Sequence, residues 1–154
     1  APWVIKIKKN LFYMYYVSGK KWKHKDLPFY NLKTAKSSDG INWERKGEVC
    51  IDFKNNNECA LARPYVIKEN KIFKMWFSYK SINTSYKIGY AESTDGLNWI
   101  RNDNFNTLSK SKEGFDSDMV EYPCVIKIRN KYYMLYNGNN YGYNGIGLAE
   151  GKIV

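Results

Sequence analysis

Two segments set acids and a base just ahead of a proline: Glu58-Cys59-Ala60-Leu61-Ala62-Arg63-Pro64 and Asp116-Ser117-Asp118-Met119-Val120-Glu121-Tyr122-Pro123. Carboxylates in such company do proton transfer, one held neutral as an acid while another stays ionised. Glu121, Asp118 and Glu58 are the candidates for that work. Paired carboxylates across a sugar-sized pocket meet the needs of glycosidic cleavage, where the acid supplies the leaving oxygen with its proton and the second group acts as base or nucleophile. Arg63 could bind a hydroxyl or carboxylate in fork geometry and keep a neighbouring acid ionised. Tyr122, Tyr141 and Trp22 offer flat apolar faces for sugar rings, and Asn137, Asn139 and Asn140 offer amide donors and acceptors. Plainer readings stand beside these. Glu58 and Asp118 are also solvated loop acids by type, Arg63 also a clamp for Glu58 or Glu121, and residues 137–145 also a turn-rich connection. His24, set among lysines, reads as a surface residue.

The elements that must position these groups follow from one phrase stated three times. Pro2-Trp3-Val4-Ile5-Lys6, Pro64-Tyr65-Val66-Ile67-Lys68 and Pro123-Cys124-Val125-Ile126-Lys127 share Pro-x-Val-Ile-Lys, with prolines 62 and 59 residues apart. Each is followed by a short Asn/Lys turn and an aromatic run ending around Met14, Met75 or Met134. Periods in this range are those of arrays and propeller blades. In the first repeat, strands are expected at 3–8, 11–17, 30–36 and from Trp43 to about Cys50, with a polar loop over 18–29. In the second they fall at about 65–69, 72–78, 86–92 and 98–102, and in the third at 124–128, 131–136 and 145–150. Ser37-Ser38-Asp39-Gly40-Ile41-Asn42-Trp43 and Ser93-Thr94-Asp95-Gly96-Leu97-Asn98-Trp99 mark hairpin turns, because glycine accepts positive φ. The recurring tryptophan is a packing residue between sheets.

Four-stranded antiparallel units in series, with no helical periodicity, make an all-β chain of the β-propeller type, with blades at about 1–61, 62–121 and 122–154. The tight connections fall on one face. The other receives loops 18–29, 79–85 and 137–145, the blade-to-blade links 47–62 and 103–121, and the residues before each proline; chemistry is expected there. Two full blades and a three-stranded third do not close a ring, which needs roughly four to eight. The expectation is the C-terminal part of a longer chain, or two copies that associate to complete the propeller.

Composition excludes some classes. No run approaches the roughly 18 apolar residues of a membrane span, and no membrane partner is expected. The 25 Lys+Arg against 15 Asp+Glu, for a net +10, raise nucleic acid or an acidic polysaccharide as a partner. The basic residues are dispersed, however, the main cluster being Lys20-Lys21-Trp22-Lys23-His24-Lys25, so solvated strand faces are favoured. Cys50, Cys59 and Cys124 have no metal-like spacing and lie by apolar stretches, as buried free thiols do. A reducing compartment, the cytoplasm, fits them. No metal or cofactor is implied.

Val120-Glu121-Tyr122-Pro123-Cys124-Val125-Ile126-Lys127, followed by Lys131-Tyr132-Tyr133-Met134-Leu135-Tyr136, resembles the Glu-Gly-Pro segment and next strand of family 43 glycoside hydrolases. That family belongs to a five-bladed propeller superfamily that also holds the invertase, levansucrase and mannoside-phosphorylase-like families. The Ser-x-Asp-Gly-x-x-Trp turns are similar too, and differ from the sialidase Asp-box by lacking one residue before the glycine. The resemblance spans the chain, is strongest over 62–150, and matches the C-terminal half of proteins of about twice this length. It implies that Glu121 is the general acid, with Tyr122 in place of the family's glycine. The family's general base, an aspartate before the first blade's proline, has no match, since Ala1 and Arg63 stand at the available positions. The expected function is glycosidase-like cleavage of an oligosaccharide or glycoside, or its phosphorolytic variant with inorganic phosphate held by residues such as Arg63. The alternatives are a non-catalytic carbohydrate-binding propeller and a protein-interaction propeller.

Overall fold

The computed structural model describes residues 1–24, 27–102, 104–105 and 108–152, with side chains described outside 21–28. Strand β1 (Trp3–Lys8) shows the period-2 logic of the whole chain: Trp3, Ile5 and Ile7 turn inward while Val4, Lys6 and Lys8 face out. It pairs with β2 (Leu11–His24), which pairs with β3 (Leu27–Ser37), which pairs with β4 (Glu44–Ile51), every pair antiparallel. The second blade repeats this with β5 (Glu58–Glu69), β6 (Ile72–Ser81), β7 (Lys87–Ser93) and the short β8 (Ile100–Arg101). The third holds β9 (Glu121–Ile128), β10 (Lys131–Asn137) and β11 (Ile146–Gly151). One parallel bridge, Tyr30 to Ala60, ties the first blade to the second. Three blades of a β-propeller result, and the described strands do not close a ring. No helix among the described residues is long and apolar enough to cross a membrane, which says nothing of a β-barrel.

Apolar faces meet between the blades. Tyr15, Leu32, Leu61, Val66, Met75 and Phe77 fill the first interface, and Trp76, Tyr90, Val120, Val125 and Met134 the second. Trp99 packs edge-on against Tyr15 of the first blade, ring centroids 5.5 Å apart, so this tryptophan does join sheets. Glu69 binds Lys74 and Tyr132, and pairs with Lys127 of the third blade, stapling the blades at the end away from the long loops. Cys50 and Cys59 are buried and Cys124 half-buried, all three free. Burial pushes the Cys50 thiol up to about 11.

Three details depart from the sequence reading. Residues 18–29 are not a loop: β2 and β3 continue as a long hairpin, with Gly19 opposite Tyr30 and Lys21 opposite Phe29. The segment's run of Ser, Gly, Lys and His residues carries no sustained alternation of apolar and polar types, so the strands were hidden in the sequence. The Asp-Gly turns are not two-residue primed turns. Ser37 Oγ accepts the Asp39 and Gly40 N–H groups, and Asp39 Oδ1 accepts those of Ile41 and Asn42, so side chains fold the corner. Ser93 and Asp95 do the same in the second blade. The link between the first two blades is also shorter at both ends than the expected 47–62, because β4 runs to Ile51 and β5 begins at Glu58.

Candidate active site

Proline brings no N–H to a strand ladder, so each Pro-x-Val-Ile-Lys strand must break its pairing where it starts. It breaks as a bulge. Pairing slips between Ala62 and Tyr65 in the second blade, and between the partners of Leu135 and Asn137 in the third. In these two blades the residue before the proline takes left-handed backbone, Arg63 at φ 52° and Tyr122 at φ 55°. A side chain held there costs on the order of 1–3 kcal/mol, and such strain gathers at functional sites. Bulges of this kind re-aim a side chain at the mouth of a sheet.

The third-blade bulge presents Glu121. Its side chain is fully enclosed, and both carboxyl oxygens lack a hydrogen-bond partner among the described residues. Burial pushes its carboxyl up to about 7, with Lys80 pulling the other way. A buried acid avoids the cost of an unpaired charge by keeping its proton. Around it stand three tyrosines: Tyr86 lies 6.3 Å from Tyr122 and from Tyr141, and Tyr122 and Tyr141 are 6.5 Å apart, between ring centroids. Burial raises the Tyr86 phenol, and burial followed by the Glu121 charge pushes Tyr122 up to about 12. Two cations border the group. The Arg63 guanidinium is 5.8 Å from the Tyr122 ring centre and Lys80 Nζ is 5.1 Å from that of Tyr86. Neither makes an ion pair among the described residues.

The structure therefore brings together Glu121, Tyr122, Tyr141 and Arg63, from two blades and the 138–145 loop. Asp118 is exposed, accepts from Ser85 Oγ at 2.8 Å, and gives its own N–H to Asn139. Asn139 uses its amide within the chain: Oδ1 takes the Asp118 and Met119 N–H groups, while Nδ2 reaches the Gly114 carbonyl and Ser117 Oγ. Asn137 sits opposite Glu121 in the ladder and donates to the Tyr141 carbonyl. Asn140 binds Asn144 across the same loop. Glu58 is buried and gripped by Arg101 through two 2.7 Å contacts, with the Lys54 N–H on the same carboxylate. The clamp anticipated for Glu58 thus exists, with Arg101 rather than Arg63 as its cation. The readings of Trp22 and His24 fall on side chains outside the described set. A cleft of about 470 Å³ bounded by Tyr79, Ile88, Phe105, Leu108 and Val120 opens beside Glu121 without including it.

Sequence reasoning missed Lys80, Tyr86 and Ser78. The signal was available: Ser78 and Lys80 alternate at the end of β6, beside the 79–85 loop already assigned to the functional face.

Antiparallel blades arranged in this way, with an enclosed acid at the start of an inner strand, define a β-propeller of the glycoside hydrolase type. The chain is similar to a family 117 glycoside hydrolase, Zg3597, from Zobellia galactanivorans, with a TM-score of 0.77 at 17% identity over 97% of this chain and 51% of that one. It is similar also to a thermostable family-43 glycoside hydrolase, with a TM-score of 0.75 at 18% identity over 99% of this chain and 54% of that one. At these identities the likeness establishes the fold. A family model described as beta-1,4-mannooligosaccharide phosphorylase matches residues 64–153, more than half of the chain, and the chain belongs to that family, glycoside hydrolase family 130. The expected superfamily holds, on its mannoside-phosphorylase side. Uncharacterized protein Rv1502 of Mycobacterium tuberculosis (strain ATCC 25618 / H37Rv) is 37% identical over 150 residues, covering 96% of this chain. The chain spans about half, 49%, of the length of that curated relative.

Proposed function

We propose that the protein cleaves a β-linked mannooligosaccharide by phosphorolysis, with Glu121 as the acid. The observation that carries this reading is an enclosed carboxyl with no hydrogen-bond partner among the described residues, pushed up to about 7 and so ready to give a proton near neutral pH. In the reaction the glycosidic C–O bond breaks and Glu121 protonates the leaving oxygen. A phosphate oxygen bonds to the sugar carbon, and the proton carried by phosphate restores the acid. Phosphate is already an anion, so the step needs cations near the acid and no carboxylate base. This removes the difficulty that Ala1 and Arg63 stand where a hydrolase of the resembling kind carries its base. Arg63 and Lys80, neither ion-paired among the described residues, are the groups we assign to the anion. Tyr122 and Tyr141 take the sugar faces, Asn137 and Asn139 hold the loop that carries Tyr141, and Asp118 lies at the rim. Glu58 supports the second blade through Arg101.

The test is formation of a sugar 1-phosphate from β-1,4-mannooligosaccharide and inorganic phosphate. Glu121→Gln should lower kcat by about a hundredfold or more while oligosaccharide binding persists. Release of free mannose without phosphate would replace phosphorolysis by hydrolysis. A second reading draws on the complete enclosure of Glu121 behind tyrosines, which suits a carbohydrate-binding propeller as well as an enzyme. It predicts oligosaccharide binding with no turnover in the wild type.

A further inference from the structure

The bulge that aims Glu121 leaves the Tyr122 N–H without a strand partner, because two residues of β9 there face one of β10. That donor is met from the neighbouring blade. Ser78 on β6 is fully buried, and its Oγ accepts the Tyr122 N–H at 2.7 Å. A buried amide left unpaired carries its full desolvation cost, enough to let a strained turn relax. The same strand repeats in all three blades, and Val17, Ser78 and Asn137 occupy the equivalent position three residues after Met14, Met75 and Met134. Val17 has no polar atom with which to hold the bulge at Arg63, and Arg63 is exposed. A hydroxyl therefore stands against the bulge that carries the acid, and is lacking against the bulge that does not.

We propose that Ser78 is a positioning residue for Glu121, its hydroxyl fixing the Tyr122 bulge so that the carboxyl stays inside the tyrosine enclosure. This rests on the reading of Glu121 as the acid, but it can be tested apart from it. The titratable and charged groups facing the enclosure are Tyr30 on β3, Lys80 on β6, Tyr86 ahead of β7, Cys59 and Arg63 on β5, Tyr122 on β9, and Tyr141 in the following loop. All are left in place by substitutions at 78.

Ser78→Thr and Ser78→Val form a matched pair, alike in shape, of which only the first keeps the hydroxyl. With β-1,4-mannooligosaccharide and phosphate, the Val variant should show kcat ten- to a hundredfold below the Thr variant, roughly the effect of a small misplacement, with KM nearly unchanged. The Glu121 carboxyl resonance, followed by carbon-13 NMR, should titrate about one pH unit lower in the Val variant as the carboxyl reaches water, and near the wild-type midpoint in the Thr variant. Should Val prevent folding, Ser78→Ala against the wild type makes the same comparison. Identical titration with and without the hydroxyl would overturn the proposal. A lowered midpoint in a protein with no turnover would uphold the positioning role and defeat the phosphorolytic reading instead.

Discussion

Glu121→Gln should abolish a pH dependence of stability that the wild type shows between pH 5 and 8. The Glu121 carboxyl rises from an ordinary 4.5 to about 7 on folding. Between those values the folded chain holds a proton that the unfolded chain has lost, so stability falls as pH rises, and the loss is complete above the folded value. Each pH unit across that gap is worth about 1.4 kcal/mol, and integration from pH 5 to 8 gives about 2.5 kcal/mol. Glutamine has no proton to lose, so the variant should lack this contribution in the window. Asp39 and Asp95, held well below the usual carboxylate range chiefly by hydrogen bonds from Asn42 and Asn98, stay ionised throughout it. The single histidine is common to both proteins and cancels in their difference. Urea unfolding at pH 5, 6, 7 and 8 measures the effect, as a wild-type midpoint drop of roughly 1 M at an m-value near 2 kcal/mol/M. Equal slopes for the two proteins would refute the reasoning, because the carboxyl would then not be buried in its neutral form.

Other consequences are independent of that one. Arg101→Ala strips Glu58 of its cation and leaves a buried carboxylate unpaired, at an expected cost of about 3 kcal/mol in denaturant unfolding. Gly96 sits at φ +75° with space for a Cβ limited by Tyr15 Oη at 3.0 Å and Phe73 at 3.2 Å, so Gly96→Ala should lower the Tm by several degrees. Asn139→Leu orphans the Asp118 and Met119 N–H groups and should cost about 1–3 kcal/mol; Asn139→Asp keeps the acceptor and should cost less in the same thermal comparison.

The fold was legible because the chain repeats itself. Pro-x-Val-Ile-Lys followed by an aromatic run fixes two strands per blade, and burial alternates along β1 as the pattern requires. The 18–29 hairpin was not legible, since its Lys/Trp/His residues show no apolar alternation and read as a loop. At the site, position before a repeated proline was a sufficient signal for Glu121, Tyr122 and Arg63, because proline forces the bulge that aims them. Lys80, Tyr86 and Ser78 meet Glu121 and Tyr122 across a blade interface, at sequence separations that only the packed sheets close. The partner of Glu58 was hidden for the same reason: Arg101 lies 43 positions along the chain, on a two-residue strand.

The central claim is that Glu121 is an acid that keeps its proton up to about pH 7, and the pH profile of phosphate-dependent turnover tests it most directly. With β-1,4-mannooligosaccharide and phosphate, the wild type should form sugar 1-phosphate with kcat falling as pH rises through about 7, and Glu121→Gln should lose this limb together with most of its rate. A Gln variant that turns over at the wild-type rate, or a wild-type limb near 4.5, would contradict it.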